Sequence, residues 1–157
     1  MDIVKSLDNY HLVCIGGGDL KKKEKNNIDK KVKNKFYHIA KISTKKLNMI
    51  YNMSFCLLYP SSHEGFGIPI IESMKAGCPV ISINKSSIPE ISGNAAILVN
   101  GINKKKFIQS IKLLQNKNLR DKYISKGLKQ AKKFSWDKCF KETLKFYSEV
   151  YKKSVKN

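Results

Sequence analysis

The chain has 157 residues, 41% of them hydrophobic, and carries 31 Lys+Arg against 12 Asp+Glu for a formal net charge of +19. That is one domain's worth of chain, long enough to bury a core, and no run approaches the ~18 uninterrupted apolar residues of a membrane span. Arg120 is the only arginine, so the charge is nearly all lysine, which lacks the forked guanidinium geometry that reads phosphates and base edges; no nucleic acid is expected as a partner, and a basic nucleic-acid-binding domain is only a remote alternative.

The elements follow in chain order. "HLVCIGGGD" is an apolar run stopped by Gly16, Gly17 and Gly18, which predicts a strand at His11 to Ile15 entering a loop. A lysine-rich stretch to about Asn34 reads as a surface helix, and "FYHIA" as a second strand. "STKKLNMIYNM" offers Ser43 or Thr44 as N-cap and puts Leu47, Ile50 and Tyr51 at helical spacing. "FCLLYP", fully apolar and closed by Pro60, reads as a central strand. From Gly67 the pattern is helical: Pro69 sits in the first turn, Ile70, Ile71 and Met74 share a face, and Gly77 with Pro79 ends it. "PVISI" and "AAILV" are short strands on either side of the turn "SSIPEIS". Phe107, Ile111 and Leu114 mark the next helix, and Ile124, Leu128 and Ala131 the one after. Trp136, Phe140, Leu144, Tyr147 and Tyr151 form one stripe on a final helix. Strands alternating with helices predict an α/β chain with a Rossmann-like, doubly wound parallel sheet and a helical C-terminus.

The N-terminus, "MDIVKSLDNYH", lacks a basic patch followed by an apolar stretch, so a cytoplasmic chain is expected. Cys14, Cys56, Cys78 and Cys139 have no paired spacing and read as small buried apolar side chains in a reducing compartment, not as disulfide or metal ligands. The lysine excess reads first as solvated surface, and second as attraction to an anionic substrate or an anionic membrane face.

In such sheets ligands bind at the carboxyl ends of the strands, and "SSHEGFG" is a loop of that kind. Glu64 lies in it, before the helix; Glu72 lies in the second helical turn, with seven residues between the two acids. The helix start between them offers unpaired N–H groups around Gly65 to Ile68 and the positive end of the helix dipole, which suit a phosphate. Gly65 and Gly67 allow close approach to the backbone. A carboxylate flanking a phosphate would repel it, so its role is to accept hydrogen bonds from a pair of neutral hydroxyls. A ligand with hydroxyls at both ends and phosphate in the middle is a nucleotide sugar. The alternative is that Glu64 is a solvated loop acid and Glu72 complements the helix dipole.

"EGFGIPIIE" resembles the signature of the retaining glycosyltransferases of the GT-B fold, family 4. "LLYPSSHEGFGIPIIESMKAGCPVIS", then "SSIPEISGNAAILV" and "FSW", follow the family order from Leu57 to Trp136. The resemblance implies the C-terminal, donor-binding half of such an enzyme, moving a hexose from a UDP- or GDP-linked sugar to a glycan or lipid-linked acceptor in surface polysaccharide or lipopolysaccharide synthesis. It implies that Glu64 is catalytic, contacting the donor sugar near the reacting centre, and that Glu72 holds the ribose hydroxyls. Backbone groups around Phe66, Gly67 and Ile68 then support sugar and diphosphate, with Gly65, His63, Gly16 and Gly17 lining the donor site. No metal and no separate cofactor are expected. Glu90 and Asn94 fit the family pattern and serve equally well as turn residues.

The family's first donor-domain strand, and the basic pair that follows it, have no counterpart before "HLVCIG". That strand is central in a doubly wound sheet, so a gap between its neighbours is expected. Residues 1–134 are read as a partial nucleotide-sugar-binding domain and 135–157 as a crossover-type helix. A non-catalytic remnant or binding subunit that needs a second chain is the alternative function. Trp136 and Phe140 are expected to cover the domain, and Leu144, Tyr147 and Tyr151 to stay exposed. The candidate partners for that end are a separate N-terminal domain chain, a second copy, or an anionic membrane surface at the inner face of the membrane.

Overall fold

The computed structural model describes residues 2–154. It runs α1 (Asp2–Lys5), β1 (Leu12–Ile15), α2 (Lys22–Val32) with a 3-10 turn at Lys33–Lys35, and β2 (Phe36–Ile39). Then come α3 (Thr44–Met53), β3 (Leu57–Tyr59), α4 (Ile68–Lys75), β4 (Val80–Ile83), α5 (Ile88–Ser92) and β5 (Ala96–Val99). The chain closes with α6 (Lys104–Leu113), α7 (Lys117–Ala131) and α8 (Trp136–Ser154). The expected α/β alternation is present, and all strand pairs among the described residues are parallel. α1 was not foreseen; four residues are too few to show a period.

Local chemistry sets the helix starts. The Ser43 hydroxyl accepts from the Lys46 N–H, Asn103 Oδ1 from Lys106 N–H and Asn116 Oδ1 from Leu119 N–H, each satisfying one first-turn donor. α4 begins instead on Gly67, whose φ of +97° only glycine adopts readily, with Pro69 in the first turn.

The three-stranded sheet β3-β4-β5 is the centre of the molecule, with Leu57 opposite Val80 and Val80 opposite Ala96. The period of two sorts its side chains. Leu57, Tyr59, Val80, Ala96 and Leu98 face a cluster built from Ile70, Ile71 and Met74 of α4, Ile88 and Ile91 of α5, and Ala131. Leu58, Ile81, Ile83, Ile97 and Val99 face the opposite cluster, with Leu7 and with Phe107 and Ile111 of α6. α7 lies directly on α4 at Gly127, where an added Cβ would come within 3.2 Å of Met74 Cγ.

The sheet is not continuous. β1 and β2 pair only with each other, Leu12 opposite Phe36, and no ladder joins them to β3-β4-β5. The break falls between β1 and β3: Tyr10, just before β1, meets Phe55, just before β3, edge to face at 5.0 Å, while the strands behind them do not pair. The gap expected between these two strands is thus present. It also corrects the reading of "FCLLYP" as a central strand: β3 is the edge strand of its sheet. β3 is apolar throughout, yet all three residues are half-buried where all four of β4 are buried, because β3 has a neighbour on one side only.

α8 departs further from expectation. Leu144, Tyr147 and Tyr151 are exposed as foreseen, but Trp136 and Phe140 do not cover the domain: they are 79% and 67% exposed, and no residue of α8 is buried. Phe134, just before α8, packs against the α4–α5 cluster. Leu128 is also more open than its helical spacing predicts, 40% exposed on the outer side of α7. No helix among the described residues is long and apolar enough to cross a membrane.

Candidate functional site

Tyr59 ends β3 on the α4 side of the sheet, and the loop that follows folds back so that its hydroxyl donates to Glu64 Oε1 at 2.5 Å. The Ser61 hydroxyl braces the same loop by donating to the His63 carbonyl at 3.2 Å. A second loop, after β4, holds the Glu64 backbone. Glu64 N–H donates to Ser86 Oγ at 3.3 Å, while the Glu64 carbonyl accepts from Ser86 Oγ at 2.8 Å and from Ser87 Oγ at 2.9 Å. Ser87 Oγ also lies 3.1 Å from the Phe66 carbonyl, so its single proton is aimed between two acceptors. Glu64 is thus held by its carboxylate from β3 and by its backbone from the β4–α5 loop.

That environment sets its charge. Hydrogen bonds from Tyr59 and then Ser61 favour the ionised form and hold the Glu64 carboxyl below the usual carboxylate range. Burial, followed by the bond to Glu64, pushes the Tyr59 phenol up to about 12, so it remains a donor. Glu72 stands half-buried in the second turn of α4, and the Tyr51 hydroxyl from α3 points at its Oε2 from 3.5 Å. Burial, then the charge of Glu72, raises the Tyr51 phenol. Each acid of the pair therefore has a tyrosine hydroxyl beside it.

Between the acids, the N–H groups of Gly65, Phe66, Gly67 and Ile68 donate to no protein acceptor among the described residues. Phe66 and Ile68 are 41% and 48% exposed, Phe66 leaning edge to face on Phe134 with ring centroids 5.6 Å apart. Gly67 is required by its left-handed backbone, and an added Cβ there would press on Ile70 Cδ1 at 3.3 Å. Gly65 is not left-handed and an added Cβ would meet open space, so its small size serves the open side of the loop only. His63 is exposed beside them.

Gly16, Gly17 and Gly18 lie at the carboxyl end of β1 with φ of +89°, +78° and +73°, a succession that residues with side chains rarely adopt. The loop is tied to β2: Gly16 N–H donates to the Ile39 carbonyl at 3.0 Å and His38 Nε2 sits 3.1 Å from the Gly16 carbonyl. No hydrogen bond among the described residues joins it to the Glu64 loop. Glu90 and Asn94 are both exposed on and after α5. An open surface groove of about 900 Å³, lined by Lys112, Leu113 and Lys122 among others, shares no residue with the Glu64 loop. No three His, Cys, Asp or Glu side chains gather among the described residues.

Tyr59, Ser86 and Ser87 lie within the quoted segments and Tyr51 on a helical face, but none of the four was assigned to the site from the sequence. Two signals point to them in hindsight. Tyr59 shares the α4 face with Leu57 by strand alternation, and "KSS" follows the strand next to β3, so its loop must emerge beside the Glu64 loop.

The family model for glycosyl transferases group 1 matches residues 1–130. The chain is 33% identical over 111 residues to the O-antigen chain mannosyltransferase B of Escherichia coli, which covers 70% of this chain and 29% of that protein. Among solved structures, sucrose-phosphate synthase from Thermosynechococcus elongatus superposes with a TM-score of 0.83 at 17% identity, over 95% of this chain and 40% of that one. The Anabaena HepE structure in complex with UDP-glucose gives 0.80 at 13% identity, over 94% and 43%. The chain thus spans less than half the length of each of these three proteins.

Proposed function

The chain belongs to the glycosyl transferases group 1 family, and we propose that it is the donor-binding portion of a retaining glycosyltransferase, moving a hexose from a UDP- or GDP-linked sugar to a glycan or lipid-linked acceptor in surface polysaccharide synthesis. The observation that carries this is the arrangement at the start of α4, where four N–H groups, from Gly65 to Ile68, with no protein acceptor among the described residues, lie in sequence between two half-buried carboxylates. The N–H groups and the positive helix end take the diphosphate without a metal. Glu72 accepts from the ribose hydroxyls. Glu64, kept ionised, accepts from the donor sugar and stabilises positive charge that develops at the sugar ring as the bond to the diphosphate breaks. The mannosyltransferase relative and the UDP-glucose in the HepE structure support a nucleotide-sugar donor. Acceptor binding belongs to a part of the enzyme outside this fold.

A second reading is a nucleotide-sugar-binding subunit that works only with another chain. It is favoured by the uncovered face of α8 and the unpaired edges of β1 and β3. The occupants of that face are a separate N-terminal domain chain, a second copy, or an anionic bilayer at the inner face of the membrane, drawn by Lys141, Lys145, Lys152 and Lys153.

Calorimetric titration with UDP and GDP tests the assignment. Glu72→Ala should weaken nucleotide diphosphate binding by about 1.5–3 kcal/mol, the range for hydrogen bonds to a charged group. Unchanged affinity in a folded variant sinks the role of Glu72. Hydrolysis of the sugar donor by the isolated chain separates the enzyme from the subunit, which hydrolyses none until a second chain is added.

A further inference from the structure

We propose that Ser86 and Tyr59 are positioning residues that clamp Glu64 from two sides and set the direction in which its carboxylate meets the donor; this rests on the assignment of Glu64 to the donor sugar. Ser86 is the only non-glycine described residue with a left-handed backbone, φ +58°. Glycine takes that conformation freely and serine resists it. Core packing does not explain the choice, because Ser86 is exposed. What the serine supplies is its hydroxyl, which accepts from the Glu64 N–H and donates to the Glu64 carbonyl, closing both backbone groups of one residue across two loops. Backbone strain held in an exposed loop and directed at one acid is the pattern of a functional constraint.

Tyr59 completes the clamp from the rigid side. Its ring packs with the α4–α5 cluster, so the hydroxyl is fixed relative to the sheet, and it binds Oε1 of Glu64. A carboxylate has lone pairs enough for a ligand hydroxyl beside the Tyr59 bond. Without Ser86 the Glu64 N–H loses its acceptor and only Ser87 still holds the Glu64 carbonyl, so the loop can shift the acid relative to Tyr59; without Tyr59 the carboxylate is free to rotate about its own side chain.

The full chain is tested as wild type, Ser86→Gly, Tyr59→Phe and Glu64→Gln, with three readouts: melting temperature, the Glu64 titration midpoint by carboxyl NMR, and the affinity ratio of GDP-mannose to GDP and of UDP-glucose to UDP. Ser86→Gly should melt at or above the wild type, because the backbone strain is relieved. The Glu64 midpoint should rise toward the ordinary carboxylate value in both Ser86→Gly and Tyr59→Phe. The preference for the sugar-bearing ligand should fall about three- to tenfold in both, as in Glu64→Gln, the change expected for one hydrogen bond. A wild-type Glu64 midpoint in Ser86→Gly overturns the clamp, as does a wild-type affinity ratio in Ser86→Gly and Tyr59→Phe when Glu64→Gln lowers it. Shifted midpoints with a ratio that Glu64→Gln also leaves unchanged show that the clamp exists and that Glu64 does not meet the sugar, which removes the donor role from both.

Discussion

Glu64 sits in a surface loop yet titrates as a held group, and pH exposes the difference. Its carboxyl is lowered by the Tyr59 and Ser61 hydroxyls, so the folded state favours the ionised form more than the unfolded chain does. The stability this contributes is fully present above the unfolded value, about 4.3 for glutamate, and is lost as pH falls through the lower folded value. The melting-temperature advantage of the wild type over Tyr59→Phe should therefore be greatest near neutrality and shrink as the solution is acidified below that range. An advantage independent of pH means that the phenol does not serve the ionised carboxylate. Ser92 offers a second prediction. It is fully buried at the end of α5, and its hydroxyl has no hydrogen-bond partner among the described residues. An unpaired buried hydroxyl costs about 1–3 kcal/mol, so Ser92→Ala should raise stability by about 1 kcal/mol, read as a higher denaturant midpoint at unchanged slope. A loss of stability would reveal a partner for this hydroxyl.

At the scale of the element, α8 is the anomaly. Seven large apolar residues from Trp136 to Tyr151 are exposed on its 19 residues, and none is buried. What holds it as a helix is local: the Ser135 hydroxyl accepts from Lys138 N–H at 3.1 Å, and Lys138–Glu142 and Lys145–Glu149 pair across one turn. Exposed pairs of that kind contribute about 0.3–0.5 kcal/mol each, and helices of this length stand mainly on tertiary packing. A chain ending at Ser135 should therefore melt within about 2 °C of the full chain, since so little stability is at stake. It should also bind less hydrophobic dye and, if a second copy covers α8, lose concentration-dependent mass in light scattering. A large fall in melting temperature would show that α8 packs on its own domain. The contrast is α7, where Gly127 lets the helix lie against Met74 of α4 and Gln130 Nε2 donates to the Ile91 carbonyl at 2.9 Å.

Taken whole, the molecule is a three-stranded core with a two-stranded wing and a charge that opposes compaction. Five ion pairs are formed among the described residues, at 2.6 to 3.9 Å and mostly between exposed side chains, against a net charge of +19. Most lysines therefore face one another through solvent. Salt at about 0.15 M screens beyond roughly 8 Å, so raising ionic strength from low salt should raise the melting temperature. A melting temperature that falls with salt would mean that the few pairs outweigh the repulsion. The wing depends on α1: Val4 packs with Ile28 and Val32 of α2, while Leu7, just after it, packs with the α6 side of the core. This short bridge stands where β1 and β3 do not pair.

The alternation of strands and helices, the parallel sheet, a cap at Ser43 or Thr44, the Gly67 helix start and the placement of Glu64 and Glu72 around it were all legible in the amino-acid order. They depend on periodicity, capping and turn chemistry, which act over a few residues. Which side chains meet the acids was not. Tyr51 and Tyr59 reach them only because α3, α4 and β3 pack as they do, and Ser86 finds Glu64 from 22 positions away because parallel neighbours bring their carboxyl-end loops together. The same holds for the exposed Trp136 and Phe140 and the half-buried β3. An apolar stripe or strand states that a face avoids water; what covers that face is decided by the rest of the fold.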